Sequence, residues 1–168
     1  MAQRERISRI DLKEKKLEVL PVHDLKNVIA IEFDMKNNCL YWADIVNDTI
    51  GRQCFKDGKS YPEILVETDL SSIEGMALDW VSNVLYFVDG VRMRIQIIRT
   101  DINYAGRMRR TILGPNNVQK PRGIAVHPMM GYMFWTDWAP GNASVNRANL
   151  DGTNVKQLFH NRVEWPNG

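Results

Sequence analysis

The sequence predicts an all-β fold of repeated, four-stranded β-propeller blades, and an internal repeat is the first observation that predicts it. Three segments, 30–44, 75–89 and 123–137, align without gaps, and their starts lie 45 and 48 residues apart. The second observation is the hydrophobic pattern, in which short apolar runs are bounded by Gly, Asn, Asp and Pro, as is typical of strands. About four strands in a repeat of about 45 residues indicate a propeller blade. A β-sandwich, the alternative, does not explain the repeated residues.

The repeat divides the 168 residues into blades in chain order. We expect a partial blade at 1–26, complete blades at 27–70, 71–117 and 118–162, and the start of another blade at 163–168. The complete blades are expected to end in the strands EILV, RTIL and KQLF. The chain is therefore expected to be the N-terminal portion of a single propeller, with apolar faces exposed on its end blades.

A second motif follows each aligned segment and consists of an aliphatic residue, an Arg and a further apolar residue. It is Ile50, Arg52 and Phe55 in the first complete blade, Ile97, Arg99 and Ile102 in the second, and Val145, Arg147 and Leu150 in the third. Each aligned segment ends in Asp, and an Arg on the next strand can meet that carboxylate across a hairpin. A catalytic pair would not recur in every blade, so we predict structural staples. They are Asp44 with Arg52, Asp89 with Arg99, and Asp137 with Arg147.

Composition and charge exclude several classes of protein. The chain is 44% hydrophobic and 25% charged, which excludes a collagenous or disordered chain. Lys and Arg total 22 against 20 Asp and Glu, and a net charge of +2 gives no support to nucleic-acid binding. No apolar run approaches the roughly 18 residues of a membrane-spanning helix, and the polar first residues are not a secretory signal. We expect no zinc site, because the sequence has no CxxC and its three His are scattered, and we expect no other metal and no cofactor.

The aligned segments end in YWAD at 41–44, YFVD at 86–89 and FWTD at 134–137. They resemble the YWTD, or class B, repeats of the low-density lipoprotein receptor family, and LDG at 150–152 and WPNG at 165–168 are also similar to that family. The resemblance implies a six-bladed propeller in the extracellular or endosomal lumenal part of a single-pass membrane receptor for endocytosis or sorting. It implies non-enzymatic recognition of protein, peptide or lipoprotein ligands, contact with other modules of the receptor, and ligand release at endosomal acidity.

Ligand contacts are expected at the loops that precede the innermost strands, because propellers generally bind partners over one rim of the central channel. The motif match to the family implies four ligand-binding residues, Glu74, Arg122, Trp138 and Asn167. Arg and Trp are enriched in binding hot spots, which agrees with this assignment. The alternative is that PRG and WPNG are turn sequences that all blades share.

Cys39 and Cys54 are expected nearly opposite each other across a hairpin, either as buried thiols or as a disulfide. The extracellular family that the chain resembles favours the disulfide. Two glycosylation sequons, Asn-Asp-Thr at 47–49 and Asn-Ala-Ser at 142–144, follow the Asp of their blades. Asn47 and Asn142 are both candidate acceptors, and Asn142 is the weaker one because Ser accepts less readily than Thr.

Two further groups of residues have functional and ordinary interpretations. His23, His127 and His160 are candidate pH sensors, since imidazole titrates between cell-surface and endosomal pH, or else they are solvated loop residues. A basic bias in the second complete blade could attract an acidic ligand or a sulfated glycan, or else it reflects outward-facing strand positions. The residues concerned are Arg92, Arg94, Arg99, Arg107, Arg109 and Arg110.

Two other functions remain open at the level of sequence. A propeller enzyme, such as a metal-dependent lactonase, needs carboxylates that converge from different blades, and the innermost strands offer Glu32, Asp79 and His127 without a recurring ligand set. An intracellular scaffold propeller is the third option, and free thiols at the two cysteines would favour it.

Overall fold

The computed structural model describes residues 2–3, 5–56, 60–101, 108–160 and 166. Their regular structure consists of strands and one 3-10 turn, Pro128–Met130. The chain divides into two compact units, Met1–Asp69 and Leu70–Gly168. In the part of the chain that is described, no helix is long and apolar enough to cross a lipid bilayer.

The first unit contains two antiparallel sheets whose strands follow each other in chain order. The three-stranded sheet consists of β1 (Ala2–Gln3), β2 (Arg6–Asp11) and β3 (Lys16–Val19). The four-stranded sheet consists of β4 (Val28–Asp34), β5 (Cys39–Asp44), β6 (Thr49–Cys54) and β7 (Glu63–Val66). Short connections make sequential strands neighbours, as is usual for antiparallel sheets.

The second unit contains two four-stranded antiparallel sheets of the same kind. One consists of β8 (Ile73–Asp79), β9 (Val84–Asp89), β10 (Arg94–Arg99) and β11 (Arg110–Leu113). The other consists of β12 (Pro121–His127), β13 (Tyr132–Asp137), β14 (Ser144–Asn149) and β15 (Lys156–His160). The predicted all-β fold with three four-stranded blades is therefore confirmed, and a partial blade precedes them.

The strand register corrects one part of the sequence alignment. Tyr41 lies opposite Arg52 between β5 and β6, and Phe134 lies opposite Arg147 between β13 and β14. The equivalent Tyr86 lies opposite Ile97, so Ile97 and not Arg99 corresponds to the other two arginines. The cause is the turn after β9, which has four residues where the turn after β13 has six.

Each unit has its own hydrophobic core between neighbouring sheets. In the first unit Trp42 of β5 packs with buried residues of the entering loop, among them Val22 and Leu25. In the second unit Trp135 and Tyr86 pack in one cluster, and the Tyr86 hydroxyl donates to the Leu150 carbonyl at 3.0 Å. Burial is the main reason that the pKa of Tyr86 is raised to about 12, and this pKa keeps the hydroxyl protonated as a donor.

The carboxylate that ends the second strand of each blade binds the backbone of the loop that enters the blade. Asp44, Asp89 and Asp137 are all buried, and each accepts hydrogen bonds from the two amide groups that lie 17 and 18 residues before it. The donors are Lys26 and Asn27 at 2.6 and 3.1 Å, Ser71 and Ser72 at 3.2 and 3.3 Å, and Gln119 and Lys120 at 2.8 Å each. We call this arrangement the carboxylate clasp. Because it recurs in all three blades, it explains the repeated Asp.

The carboxylate clasp shows that the predicted Asp–Arg staples are wrong in their pairing. Each Asp lies opposite the first residue of the next strand, Thr49, Arg94 or Ser144, and therefore lies several residues from the predicted partner. Arg52 pairs instead with Glu63 of β7 at 2.6 Å, and Arg99 pairs with Asp101. Arg147 lies over the ring of Tyr132, with its Cζ atom 4.3 Å from the centroid.

The Asp89 carboxylate does attract arginines, although not the predicted one. Its Oδ2 atom lies 3.6 Å from Arg94 and 3.9 Å from Arg92, in addition to the amides of its clasp.

Arg52 has a different environment. Burial disfavours its charge, but hydrogen bonds to Glu63 and Tyr41 outweigh that effect and raise its pKa. The structural ion pair of the first complete blade therefore joins its third strand to its fourth.

Removal of one clasp charge is expected to destabilise the fold. Asp44→Asn replaces a carboxylate oxygen by an amide group that cannot accept, so the free energy of unfolding should fall by about 1.5–3 kcal/mol, the value of a hydrogen bond to a charged group. Urea unfolding followed by tryptophan fluorescence measures the change. The control is Asp48→Asn in the exposed turn that follows, where Asn tolerates the positive φ and a change below about 0.5 kcal/mol is expected.

The difference in stability between the wild type and Asp44→Asn is also expected to depend on pH. Burial alone would raise the pKa of Asp44, but the amides of Lys26, Asn47, Asn27 and Val46 outweigh it and lower that pKa below its ordinary value. The stabilisation is therefore complete above the unfolded pKa of about 3.9 and is lost as the pH falls through the folded pKa. The advantage of the wild type over D44N should shrink below about pH 4; a constant advantage down to about pH 2 would contradict this assignment.

Gly51 is expected to tolerate no side chain. A Cβ atom at this position would lie 2.4 Å from the Trp42 ring, so Gly51→Ala should lower the free energy of unfolding by about 1–3 kcal/mol through overpacking. Gly114→Ala is the matched control, because no atom lies within 4 Å of its Cβ position. Equal stability of the two variants in urea unfolding would show that Trp42 does not pack on Gly51.

Candidate functional site

Three of the four predicted ligand-binding residues converge in the second unit. Arg122 comes from β12, Glu74 from β8, and Trp138 directly follows β13. The Arg122 guanidinium lies 3.2 Å from Glu74 Oε2, and its Cζ atom lies 3.8 Å from the centroid of the Trp138 ring. A cation over an indole ring is attracted by the ring quadrupole, so the two contacts fix both the edge and the face of the guanidinium.

Neighbouring groups hold the partners of Arg122 in place. The Ser72 hydroxyl donates to Glu74 Oε1 at 2.7 Å, and this hydrogen bond leaves Oε2 for Arg122. The Trp138 indole donates through Nε1 to the Pro166 carbonyl at 2.7 Å, and its backbone amide donates to the Lys120 carbonyl at 2.9 Å. Side chains with few remaining rotamers form a recognition site with little loss of entropy on binding.

Arg122, Glu74 and Trp138 line a cavity of about 390 Å³. Its lining consists of Glu74, Gly90, Val91, Met93, Gln119, Lys120, Pro121, Arg122 and Trp138. A concave, mostly apolar site of several hundred Å³ with a few convergent polar groups is typical of a binding site. The Arg122 side chain is 38% exposed and that of Glu74 21%, so the ion pair is accessible from solvent and contributes little stability by itself.

The carboxylate clasps position all three side chains. The Asp89 clasp fixes the amide of Ser72, whose hydroxyl holds Glu74. The Asp137 clasp fixes the amide of Lys120, two residues before Arg122, and Trp138 is the residue after Asp137. The residues of the site are therefore held in place by the carboxylate clasps, which recur in every complete blade.

Sequence reasoning missed Val91 and Met93, which form the apolar wall of the cavity on the turn between β9 and β10. Met93 has a φ of 52°, and Asp48 has a φ of 50° at the equivalent place in the first complete blade. Asp tolerates this left-handed conformation, whereas a Met there is uncommon and strained. A Met at a turn position that favours Asp, Asn or Gly is therefore the feature of the sequence that could have identified this residue.

The remaining predicted site residues lie as follows. Cys39 and Cys54 form a disulfide between directly opposed positions of β5 and β6, with Cα atoms 3.9 Å apart, and the favoured alternative is confirmed. Asn47 and Asn142 lie in exposed turns. Asn167 and Arg107 lie outside the described residues, so their roles remain predictions.

The histidines and arginines lie in separate environments. His127 accepts a hydrogen bond from the Met130 amide through Nδ1 at 3.2 Å, and His23 and His160 are exposed. Arg109 donates to the Gln96 side chain at 2.6 Å and lies over the Phe87 ring. Since Arg92 and Arg94 lie beside Asp89, several of the basic side chains already have partners.

The carboxylates considered for a metal serve their own turns. Asp79 accepts hydrogen bonds from the amides two and three residues further on, and Glu32 accepts from the Phe33 amide. Asp34, at the position equivalent to Asp79, was not a candidate and binds its own turn in the same way. Over the described ranges, no group of three or more His, Cys, Asp and Glu side chains is close enough to hold a metal ion.

Comparisons with known proteins agree with the fold and the repeat. The family model of the low-density lipoprotein receptor repeat class B matches residues 131–168. The vitellogenin receptor Yl of Drosophila melanogaster is 32% identical over 145 residues, which are 86% of this chain and 7% of that receptor. A chain in the crystal structure of a nidogen/laminin complex superposes with a TM-score of 0.88 at 30% identity, over 99% of this chain and 63% of that one.

A more distant match concerns the fold alone. A chain of the hydrazine synthase of Kuenenia stuttgartiensis superposes with a TM-score of 0.70 at 15% identity, over 92% of this chain and 44% of that one. Such a similarity carries no information about function.

The fold and the repeats thus define a YWTD-type β-propeller segment. Residues 131–168 match the class B repeat of the low-density lipoprotein receptor, and the relatives support a propeller of that receptor family for the chain. The chain spans 7% of the length of the vitellogenin receptor and 63% of the matched chain in the nidogen/laminin complex. The positions of Cys39 and Cys54 also resemble the first repeat of the sortilin-related receptor; the comparisons support the family and do not select this member.

Proposed function

We propose that the chain is a non-enzymatic, extracellular recognition segment of an endocytic or sorting receptor, and that the Arg122 cavity contacts its ligand. The observation that carries the proposal is the convergence of Arg122, Glu74 and Trp138 at one concave site. The blades at 27–70, 71–117 and 118–162 would act as the frame, within a propeller that continues beyond this chain.

The geometry of Arg122 suits recognition of a polypeptide. Trp138 covers one face of the guanidinium and Glu74 occupies one donor position, so other N–H groups remain for a carbonyl or carboxylate of a ligand. Val91 and Met93 offer an apolar surface beside them. A central Arg and Trp with an apolar border is the composition of a binding hot spot.

The relatives support a protein or peptide ligand. One is a receptor named for vitellogenin, and the matched solved chain is part of a complex of nidogen and laminin. We extend the ligand class to lipoproteins and the contacts to other modules of the same receptor. The disulfide between Cys39 and Cys54 supports an extracellular or lumenal location, because such bonds persist in oxidising compartments.

An enzymatic function has less support. A propeller hydrolase would need free carboxylates, whereas Asp34 and Asp79 are buried and occupied by backbone amides of their own turns. The similarity to hydrazine synthase concerns the fold alone. A cytosolic scaffold is likewise disfavoured by the disulfide.

Arg122→Ala is expected to weaken ligand binding by about tenfold or more, because a hot-spot side chain contributes over about 1.4 kcal/mol. A displayed library of random 12-residue peptides, selected on the wild-type chain, supplies the probe, and isothermal titration of one selected peptide gives Kd. Arg110→Ala, on an exposed position of β11, is the control. Equal affinity of the wild type and R122A, at unchanged melting temperature, would disprove the site; failure to select any peptide would disprove peptide recognition.

We also propose that the ligand is released at endosomal acidity, with His127 as the candidate pH sensor. A neutral imidazole accepts the Met130 amide at Nδ1, and protonation turns that acceptor into a donor. Asp34 and Asp79 occupy the equivalent positions, where a carboxylate oxygen accepts the amide three residues further on. The test compares the affinity for the selected peptide at pH 7.4 and at pH 5.5 in the wild type and in His127→Asp. A fall in the wild type that is smaller in the variant would support His127 as the sensor, and an equal fall in both would contradict it.

A further inference from the structure

The two sequons differ in what their asparagine side chains do in the folded protein. In both blades the sequon lies in the turn that follows the clasp Asp. Asn47 belongs to the turn between β5 and β6, and Asn142 to the turn between β13 and β14, the turn that also supplies Trp138. Both side chains lie at exposed positions, so exposure does not distinguish them.

The Asn47 amide nitrogen is a structural donor. Nδ2 donates to the Asp24 carbonyl at 3.0 Å and to the clasp carboxylate Asp44 Oδ2 at 3.2 Å. A primary amide has two N–H groups, so both are in use. The second of these bonds goes to a buried carboxylate, where an unsatisfied lone pair is costly.

The Asn142 amide nitrogen has no such role. Its Oδ1 atom accepts from Gln157 Nε2 at 3.3 Å, which places Nδ2 on the opposite edge of the amide. Among the residues that the structure describes, Nδ2 of Asn142 forms no hydrogen bond. The backbone of the turn is held independently, since the Asn142 amide donates to the Ala139 carbonyl at 2.9 Å.

We propose that the folded protein carries an N-linked glycan on Asn142 and none on Asn47. In this modification Nδ2 attacks the anomeric carbon of a lipid-pyrophosphate-linked oligosaccharide. The new N–C bond forms as the C–O bond to the pyrophosphate breaks, the pyrophosphate leaves with the electron pair, and Nδ2 gives one proton to a base of the transferase. One N–H remains on Nδ2.

The loss of one N–H decides between the two sites. At Asn47 it removes either the hydrogen bond to Asp24 or the hydrogen bond to Asp44. The bulky glycan would also be attached to a nitrogen that is directed at the loop entering the blade. At Asn142 it removes no bond, and Oδ1 still accepts from Gln157. The preference of the transferase for Thr over Ser favours Asn47, whereas the folded structure favours Asn142.

The location gives the glycan a consequence for the candidate site. The glycan would stand on the six-residue turn whose first residue, Trp138, lines the cavity beside Arg122. A glycan is bulky and hydrophilic, and it would limit the direction from which a large ligand approaches. This consequence rests on the proposed ligand site, whereas the assignment of the modified residue rests only on the proposed extracellular location.

Site mapping on the secreted chain tests the assignment. The full 168-residue chain, given a secretory leader, is expressed in mammalian cells, and the monomeric fraction is treated with N-glycosidase F in H₂¹⁸O before peptide mass spectrometry. We expect the ¹⁸O label at position 142 and an unlabelled Asn47. Label at Asn47 in the monomeric fraction, or an unlabelled Asn142, would overturn the proposal.

Matched variants keep the result independent of any one mutation. Asn142→Asp removes the acceptor but keeps an oxygen for Gln157, and it should abolish the glycan mass. Thr49→Ala removes the other sequon without changing Asn47 and should leave the glycan mass unchanged. Ser144→Thr keeps the hydroxyl and should raise the occupancy of Asn142. Because no ligand enters the measurement, its failure would leave the proposed recognition function intact.

Discussion

The structure depends on a buried carboxylate at the end of the second strand of each complete blade. Asp44, Asp89 and Asp137 are almost without solvent exposure, and a buried charge is stable only when hydrogen bonds replace its lost hydration. Backbone amides of the loop that enters the blade supply those bonds. The loop is thereby attached to a strand from which it is 17 and 18 residues distant in the chain. A carboxylate, unlike an amide, accepts at both oxygens, which is why Asp recurs at this position.

The candidate site inherits its order from these clasps. Arg122 and Glu74 both follow clasped loop residues by two positions, and Trp138 follows the clasp residue Asp137 directly. The mobile part of such a site would ordinarily be its loops, but these loops end in bonds to buried charges. The side chains of Val91 and Met93 line the cavity without taking part in a clasp, so they are available to determine which ligand binds. The residues that stabilise the fold are therefore different from the residues that determine ligand specificity.

Much of the fold was predictable from sequence because the repeat is long and its pattern is clear. The period and the strands follow from local chemistry, and one hairpin places Cys39 opposite Cys54, but the preference for a disulfide over free thiols came from the resemblance to an extracellular family. The partner of the repeated Asp was not predictable in the same way. Every residue except Pro has a backbone amide, so the sequence does not show which amides bind the carboxylate, whereas a nearby Arg is an evident ion-pair partner. The prediction for Arg99 is wrong because it gives the second complete blade the spacing of the third, whose turn after β13 has six residues, whereas the turns after β5 and β9 have four. The convergence of Glu74, Arg122 and Trp138 followed from resemblance, whereas the sequence signal for Met93 is only a Met at the turn position where the first complete blade has Asp48.

Amide hydrogen exchange, measured by NMR on the wild type and on Asp137→Asn, tests the central claim most directly. The amides of Gln119 and Lys120 lie in a loop, and loop amides ordinarily exchange fast. If the clasp organises the blade, both should exchange as slowly as the strand amides of β13 in the wild type. In the variant they should lose this protection, while the amides of Ser71 and Ser72, which bind Asp89, keep theirs. Fast exchange of Gln119 and Lys120 in the wild type would contradict the account.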